Sequence, residues 1–208
     1  TFDDLVFSVN WQRSLSTTSL TILPGETRSF QLTVTVPPES ANPISGTYAD
    51  VTVAITPTLP IDPLQARTAR ARTIVGQVSR AQITPASAEK EGAPGETVIF
   101  LHEITNLGNG VDTFQINGMP ALGSTVRFTS LTSGVTINSE GRFTLAQGAT
   151  AIIRVEVTVN PQLANGNVEN VFIDLRDLNG NVIGGAFAQD RVRVVSSIRR
   201  VYLPLVIR

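Results

Sequence analysis

The chain has 208 residues, of which 41% are hydrophobic and 16% charged, and its formal net charge is −1. These values predict one large or two small folded domains and exclude a disordered chain. The small net charge predicts no general attraction to nucleic acid or anionic membranes. The absence of cysteine excludes disulfides, thiol catalysis and thiolate metal sites. No apolar run reaches ~20 residues, so we expect no membrane-spanning helix.

In chain order, the opening residues Thr1–Asp4 have no basic region typical of a signal peptide, which leaves open whether Thr1 is a mature N-terminus. Leu5–Val9 is strand-like, and Ser29–Val36 alternates apolar and polar side chains, the pattern of a half-buried strand. The same alternation follows Gly46, at Val51, Val53 and Ile55.

The second half of the chain contains a longer series of strand signals separated by Gly, Pro and Asn turns. We expect strands near Ala81–Pro85 and at Glu96–Thr105, Asp112–Ile116, Thr125–Ser130, Thr136–Leu145, Thr150–Val159, Asn167–Leu175 and Ala186–Val195. The Asn-Gly pair in Leu178–Asn181 favours a hairpin turn between the last two strands. No amphipathic helix is evident, so the sequence predicts an all-β protein of β-sandwich modules.

An internal repeat divides the chain. Gly25–Pro38 (GETRSFQLTVTVPP) reappears as Gly148–Pro161 (GATAIIRVEVTVNP). Gly46–Ile55 (GTYADVTVAI) likewise reappears as Gly166–Leu175 (GNVENVFIDL). The repeat predicts two tandem modules of related fold.

The first copy of the repeat is incomplete. Aligning Thr1-Phe2 with Thr113-Phe114 leaves it without counterparts of Ala81–Pro85 and Glu96–Thr105, the opening strands of the second copy. The predicted organisation is a module at 1–79 that lacks opening strands, a complete module at 80–195, and a C-terminal extension strand at 196–208.

The extension ends in an apolar segment, Val201–Ile207 (VYLPLVI), which fits a buried strand. One face carries Val201, Leu203, Leu205 and Ile207, and the other carries Tyr202, Pro204 and Val206. Pro204 lacks an N–H and must lie at an edge or a non-bonding position. By sequence spacing the segment aligns with Ala81–Ile83, the start of an opening strand. Three alternatives remain open: it folds back on its own module, it docks onto a neighbour, or it is a sorting signal or flexible end.

Three motifs of the second module carry a resemblance. They are Pro94–Val98 before a strand, Asn106–Phe114 (NLGNGVDTF), and Leu145–Gly148 leading into Val155–Pro161. This part of the chain resembles the bacterial and archaeal immunoglobulin-like repeats of extracellular proteins, the class that includes CARDB-type adhesion modules and glycosidase-associated modules. The resemblance implies an immunoglobulin-like β-sandwich that acts as a spacer, an adhesion unit or part of a surface polymer, without shared catalytic residues.

Calcium is the only cofactor that the sequence suggests. Oxygen-bearing side chains alternate around Gly180, as in calcium loops, and the candidates are Asp174, Asp177, Asn179 and Asn181. A hairpin turn explains the same residues without an ion. A second and weaker cluster consists of Asn106, Asn109 and Asp112.

Other residues suggest no chemistry. His102 is the only histidine and cannot form a usual zinc site, so we expect it to be packed. Trp11 is expected in the core, and Glu89 and Glu91 in a loop. Arg70 and Arg72 share a strand face, with Arg67 and Arg80 nearby. We expect these arginines to be solvated or to form ion pairs with the neighbouring module; the alternative is that they bind an anionic glycan. Few aromatic residues are available for stacking on nucleic acid.

We therefore expect a non-enzymatic structural subunit of an extracellular or cell-surface polymer: a filament, pilus-like fibre or sheath. Its hypothesised mechanism is donation of Val201–Ile207 to the incomplete module of the next subunit, with Val201, Tyr202, Leu203, Leu205, Val206 and Ile207 at the interface. The expected partner is the chain itself, and a cell-surface glycan is a further candidate. The alternative is a spacer, adhesion or carbohydrate-binding accessory module of a larger secreted protein.

Overall fold

The computed structural model describes residues 2–3, 11–38, 41, 43–57 and 67–195. Throughout these residues the secondary structure is strands and turns, so the predicted all-β class is confirmed. None of the described segments is a helix long and apolar enough to cross a membrane. The chain divides into two compact units, Thr1–Val78 and Ser79–Arg208.

The first unit has two small antiparallel sheets. Its strands are β1 (Phe2–Asp3), β2 (Gln12–Leu15), β3 (Leu32–Thr35), β4 (Tyr48–Ile55) and β5 (Arg67–Ile74). One sheet has the order β1-β4-β5, and the other pairs β2 with β3. Trp11, Ala49 and Val75 form a small core against which Val34 and Val36 pack, which confirms the expected burial of Trp11.

The second unit is a complete immunoglobulin-like sandwich. Its strands are β6 (Ala81–Thr84), β7 (Ser87–Gly92), β8 (Thr97–Asn106), β9 (Asp112–Pro120), β10 (Thr125–Ser130), β11 (Arg142–Leu145), β12 (Thr150–Thr158), β13 (Val168–Arg176) and β14 (Val182–Val194). One sheet has the order β10-β12-β8-β6 and the other β11-β9-β13-β14-β7. The opening segment thus contributes β6 to one sheet and β7 to the other, where β7 runs parallel to β14. This strand order matches the two-sheet arrangement of immunoglobulin domains.

The period-two sequence patterns produce the core of the second unit. In β8, the side chains of Val98, Phe100, His102 and Ile104 point inward and are buried, whereas those of the residues that alternate with them face outward. In β12, Ile153, Val155 and Val157 are completely buried. Successive side chains of a strand point to opposite faces, so each apolar alternation places one whole row of side chains in the core.

Two predicted strands have other bounds in the structure, and one predicted loop is a strand. Thr136–Leu145 is a strand only over Arg142–Leu145, because Asn138 Oδ1 accepts the backbone N–H groups of Glu140 and Arg142 at 3.0 and 2.8 Å and bends the chain before it. The last strand begins at Val182 instead of Ala186. Ser87–Gly92 is a strand although its polar sequence predicts a loop, because it pairs with β14 at the sheet edge, where charged side chains remain in solvent.

The alignment of the N-terminus is also corrected. Phe2 pairs with Val53 of β4, whose counterpart in the repeat is Ile173. Ile173 pairs with Gly118 of β9. Phe2 therefore corresponds to Gly118 and not to Phe114, so β1 is the counterpart of the end of β9. Sequence alignment missed this because a strand of two residues carries no pattern.

Candidate assembly site

The sheet β2-β3 of the first unit differs most from its counterpart in the second unit. Leu15 of β2 pairs with Leu32 of β3, and Phe128 of β10 pairs with Val155 of β12. Leu32 and Val155 occupy the same position in the repeat. Strand β2 is therefore the counterpart of β10, and β3 is the counterpart of β12.

Strands β3 and β12 are the corresponding central strands of the two units, and they differ on the side opposite β2 and β10. In the second unit, β8 pairs with β12 along its whole length, from Thr97–Thr158 to Thr105–Thr150. In the first unit, no described strand pairs with β3 opposite β2. We call this side of β3 the open edge. Among the described residues, the first unit has no counterpart of β6, β7 or β8.

The open edge leaves the core of the first unit partly uncovered. Ile153, Val155 and Val157 are completely buried in β12. Their counterparts Phe30, Leu32 and Val34, at the same positions of the repeat, are only half-buried. Equal sequence patterns thus give unequal burial, because apolar surface is removed from water only where another strand covers it.

The described strands also leave part of the β1-β4-β5 sheet uncovered. Val51 and Val53 of β4 are buried on its inner face. They pair with Ala71 and Ala69 of β5, which are exposed although they lie on the same face. Ile55 continues this face and is exposed too. The described strands of the first unit therefore cover only part of the inner face of the β1-β4-β5 sheet.

Hydrogen bonds define which backbone groups point to the open edge. Gln31 accepts a hydrogen bond from the Ser16 N–H at 2.9 Å and donates its own N–H to Ser16 Oγ at 2.8 Å. Gln31 therefore bonds toward β2, and its neighbours in β3 alternate with it. Leu32 and Val34 accordingly direct their N–H and C=O groups to the open edge, and their side chains to the core.

The predicted donor segment cannot be compared with this edge directly. Val201, Tyr202, Leu203, Leu205, Val206 and Ile207 lie outside the described residues. Their role at an interface stays a prediction.

The calcium candidates are spread over a hairpin. The Asp177 carboxylate accepts the N–H groups of Asn179 and Asn181 at 2.9 and 2.8 Å, and Asn181 Nδ2 at 3.1 Å. These bonds, chiefly that from the Asn181 side chain, lower the pKa of Asp177 below its ordinary value. Asp174 instead accepts Asn117 Nδ2 at 3.0 Å and lies beside Arg176. In the described part of the chain, no three His, Asp or Glu residues are grouped to hold a metal. The calcium site stays a prediction.

The second cluster braces the loop between β8 and β9. Asn106 Nδ2 donates to the Gly110 and Leu145 carbonyls at 2.9 and 3.0 Å, and Asn106 Oδ1 accepts the Gly108 N–H at 2.8 Å. Asp112 accepts the Thr113 N–H through Oδ1, whereas its buried Oδ2 has no hydrogen-bond partner. Asn109 is buried beside them. Asn106 thus has a structural role in shaping the turn.

The arginines of β5 face solvent. Arg70 and Arg72 pair with Thr52 and Asp50 on the outer face of the sheet, which confirms that the two arginines share a face. Arg72 forms a bidentate ion pair with Asp50 at 2.6 and 2.7 Å and lies over the Tyr48 ring. This hydrogen-bonded pair lowers the pKa of Asp50. The ion pair of Arg72 lies within the first unit.

The outer face of the second unit carries a small apolar patch that the sequence analysis missed. The rings of Phe172 and Phe187 stack with centroids 6.3 Å apart, although 36% and 48% of these residues is exposed. Met119, which is 48% exposed, pairs directly with Phe172 across the strands. We call these three residues the outer patch. The strand alternation could have revealed it, since Phe172 and Phe187 fall on the polar side of their strands.

Comparisons with known proteins give no family assignment. No protein-family model matches the chain, and a search of curated proteins finds no match. The predicted CARDB-type or glycosidase-associated membership therefore stays a prediction.

Several solved structures are similar in fold. The match to chicken VE-cadherin EC1-2 spans 93% of this chain and 88% of the cadherin chain, at 10% identity and a TM-score of 0.31. A second match is to AggA, the major subunit of aggregative adherence fimbriae type I from Escherichia coli. It spans 58% of this chain and 97% of the AggA chain, at 10% identity and a TM-score of 0.25. A family 123 glycoside hydrolase from Clostridium perfringens has a TM-score of 0.44 at 7% identity, and the match spans 58% of the chain and only 28% of the hydrolase. With TM-scores below 0.5 and identities of 7–10%, these likenesses assign neither a family nor a function.

Proposed function

We propose that the chain is a structural subunit of an extracellular surface polymer, assembled head to tail by donation of a β-strand. The observation that carries the proposal is the open edge of β3, where core residues are half-buried and backbone groups point outward. The donated segment is Val201–Ile207 of another copy, which has apolar side chains at every core-facing position. Main-chain hydrogen bonds supply affinity in such strand addition, and alternate side chains supply specificity.

Head-to-tail geometry explains why a polymer results. The donor segment and the acceptor strand are different surfaces of the same chain, so each copy can donate to one neighbour and accept from another. A contact of this kind forms a ring if its rotation closes and an open filament if it does not. An exposed strand edge is also prone to unwanted pairing, and a specific donor removes that hazard.

Truncation tests the proposal. The full chain and a variant that ends at Val195 are compared by size-exclusion chromatography and electron microscopy over a range of concentrations. We expect polymers from the full chain and monomers from the truncated one. A matched control, the full chain with Leu203→Asp and Leu205→Asp, should also remain monomeric. Polymers of the same appearance from the truncated chain would contradict strand donation, and a full chain that stays monomeric at high concentration would contradict polymer formation.

The outer patch favours a second candidate, a carbohydrate-binding or adhesion module of a larger secreted protein. Exposed aromatic rings on a sheet face can stack on sugar rings, and Gln189 and Asn170 form a hydrogen-bonded amide pair at 3.0 Å on the same two strands, β14 and β13. Retention on insoluble polysaccharides, compared between the wild type and Phe172→Ala/Phe187→Ala, tests this function. The matched control is Leu101→Ala, which removes an exposed apolar side chain from the other sheet. Equal retention of all three proteins would contradict sugar binding at the patch.

A further inference from the structure

We infer that the donated segment occupies the place of β8, and not that of β6, beside the open edge of β3. The inference rests on the proposed strand donation and specifies its register. Sequence spacing alone aligns Val201–Leu203 with Ala81–Ile83, all of which lies in β6. The sheet order of the second unit argues for the other position.

Of β6 and β8, only β8 pairs with the central strand β12. In the second unit β6 pairs with β8, and β8 pairs with β12. A strand donated at the place of β6 would have no neighbour to pair with among the described strands of the first unit. A strand at the place of β8 pairs with β3 directly and supplies the row of core side chains that Val98, Phe100 and Ile104 supply in the second unit. One donated strand therefore covers the open edge, although β6, β7 and β8 all lack counterparts among the described residues.

The hydrogen-bond pattern selects which face of the donor turns inward. Leu32 and Val34 point their side chains to the core and their backbone groups to the open edge. In an antiparallel pair, two directly opposite residues point their side chains to the same face, and their backbone groups either bond to each other or both point away. The donor residues that face the core therefore also hydrogen-bond to β3. If Leu203 and Leu205 face the core, the backbone nitrogen of Pro204, which has no hydrogen, points away from β3. Proline is tolerated at such a position because no ladder hydrogen bond is lost. The opposite choice would place Pro204 in the core row and lose a ladder bond.

Side-chain matching then fixes the register. The first unit offers four apolar positions in one row: Phe30, Leu32, Val34 and Val36. The donor also offers four, and full overlap pairs Val201 with Val36, Leu203 with Val34, Leu205 with Leu32 and Ile207 with Phe30. A slip of two residues in one direction places Ile207 opposite Arg28, and in the other it places Val201 opposite Pro38. Both Arg28 and Pro38 are exposed, so either slip loses a buried apolar pair.

Disulfide trapping in the full-length chain tests this register, and the natural absence of cysteine makes it clean. The outward pairs Gln31–Val206 and Thr35–Tyr202 are non-hydrogen-bonded in this register, with Cα atoms about 4.5 Å apart, within the range of disulfides. Gln31 and Thr35 are exposed, so Gln31→Cys and Thr35→Cys do not disturb the core. The mismatched control is Gln31→Cys with Tyr202→Cys, which would be roughly 13 Å apart.

After mild oxidation, we expect both matched double variants to give a ladder of linked subunits on a non-reducing gel, and the mismatched variant to remain largely monomeric. Polymers that form but link equally well or better through the mismatched pair would overturn the register and leave the proposed polymer intact. Links within single chains would overturn donation by a second copy. If the unoxidised wild type forms no polymer at any concentration, the proposed function itself fails. Circular dichroism of each variant verifies that it is folded.

Discussion

His102 and Asp190 form a buried pair that joins the two sheets of the second unit. His102 Nε2 lies 3.0 Å from both carboxylate oxygens of Asp190, and His102 Nδ1 lies 2.9 Å from the Pro85 carbonyl. His102 belongs to β8 and Asp190 to β14, and both are almost fully buried. The expected packing of His102 is confirmed, and its role is to connect the two faces of the sandwich.

Removing one partner of this pair should destabilise the protein strongly. Breaking a buried pair leaves an uncompensated polar group in the core, and we expect Asp190→Ala or His102→Ala to lower the free energy of unfolding of the second unit by about 3–5 kcal/mol. Chemical denaturation followed by circular dichroism measures this loss. Glu89→Gln is the matched control, because Glu89 pairs with Arg191 and Arg193 at the surface and should matter by less than about 1 kcal/mol. Equal losses for the buried and surface variants would contradict the assignment.

A second buried carboxylate holds the loop between β9 and β10. Glu169 is completely buried, and its oxygens accept the N–H groups of Leu122 and Ser124 at 2.8 and 3.1 Å. We expect Glu169→Leu to cost about 1–3 kcal/mol for the buried Ser124 N–H that loses its acceptor. Hydrogen exchange should quicken at Leu122 and Ser124 and remain unchanged at β12. Uniform quickening over the whole sandwich would indicate global unfolding instead.

Gly92 is required for close packing rather than for backbone conformation. A Cβ atom there would overlap a methyl group of Val98 and approach Val192 Cγ1 to 3.2 Å. We expect Gly92→Ala to destabilise the second unit by about 1–3 kcal/mol through overpacking. Gly184→Ala is the control, since nothing lies within 4 Å of a Cβ atom at that position. Thermal unfolding of the two variants should separate them clearly, and identical melting would contradict the tight packing around Gly92.

The hairpin at Asp177 should titrate abnormally. The pKa of Asp177 is lowered chiefly by the Asn181 side chain, so Asn181→Ala should raise it toward the ordinary value. Because the folded pKa is depressed, the stabilisation is present above the unfolded pKa and is lost as the pH falls through the folded pKa. NMR titration of the Asp177 carboxylate measures the change. An unaltered midpoint in the variant would show that the Asn181 side chain is not the main cause.

The same hairpin allows a test of the predicted calcium site. An ion that binds only the folded protein raises the unfolding temperature as its concentration increases. We expect millimolar calcium to raise that temperature in the wild type, and Asp174→Asn/Asp177→Asn to abolish the rise. No difference between calcium and a chelator in the wild type would contradict the site.

The regular alternation of apolar and polar residues in β8, β12 and β13 made most of the second unit predictable. In a half-buried strand, every second residue is apolar and shows which face points to the core. Strand β7 was not predictable, since Glu89 and Lys90 lie at a sheet edge and its sequence shows no apolar alternation. Asp190 could not be assigned to His102, because the pair joins strands 88 residues apart in sequence and depends on how the two sheets face each other. The half-buried state of Leu32 was equally hidden, since its pattern is that of Val155 and only the neighbouring strand differs.

The parallel pairing of β7 with β14 has a mechanical consequence. The two strands lie near opposite ends of the second unit in sequence, and their register runs from Ser87–Gln189 to Gly92–Val194. Tension applied through the two ends of this unit pulls parallel neighbours in opposite directions along their own axes. The ladder is then loaded in shear, so its hydrogen bonds must fail together instead of opening one after another. A unit connected in this way resists stretching at the strand pair that closes it.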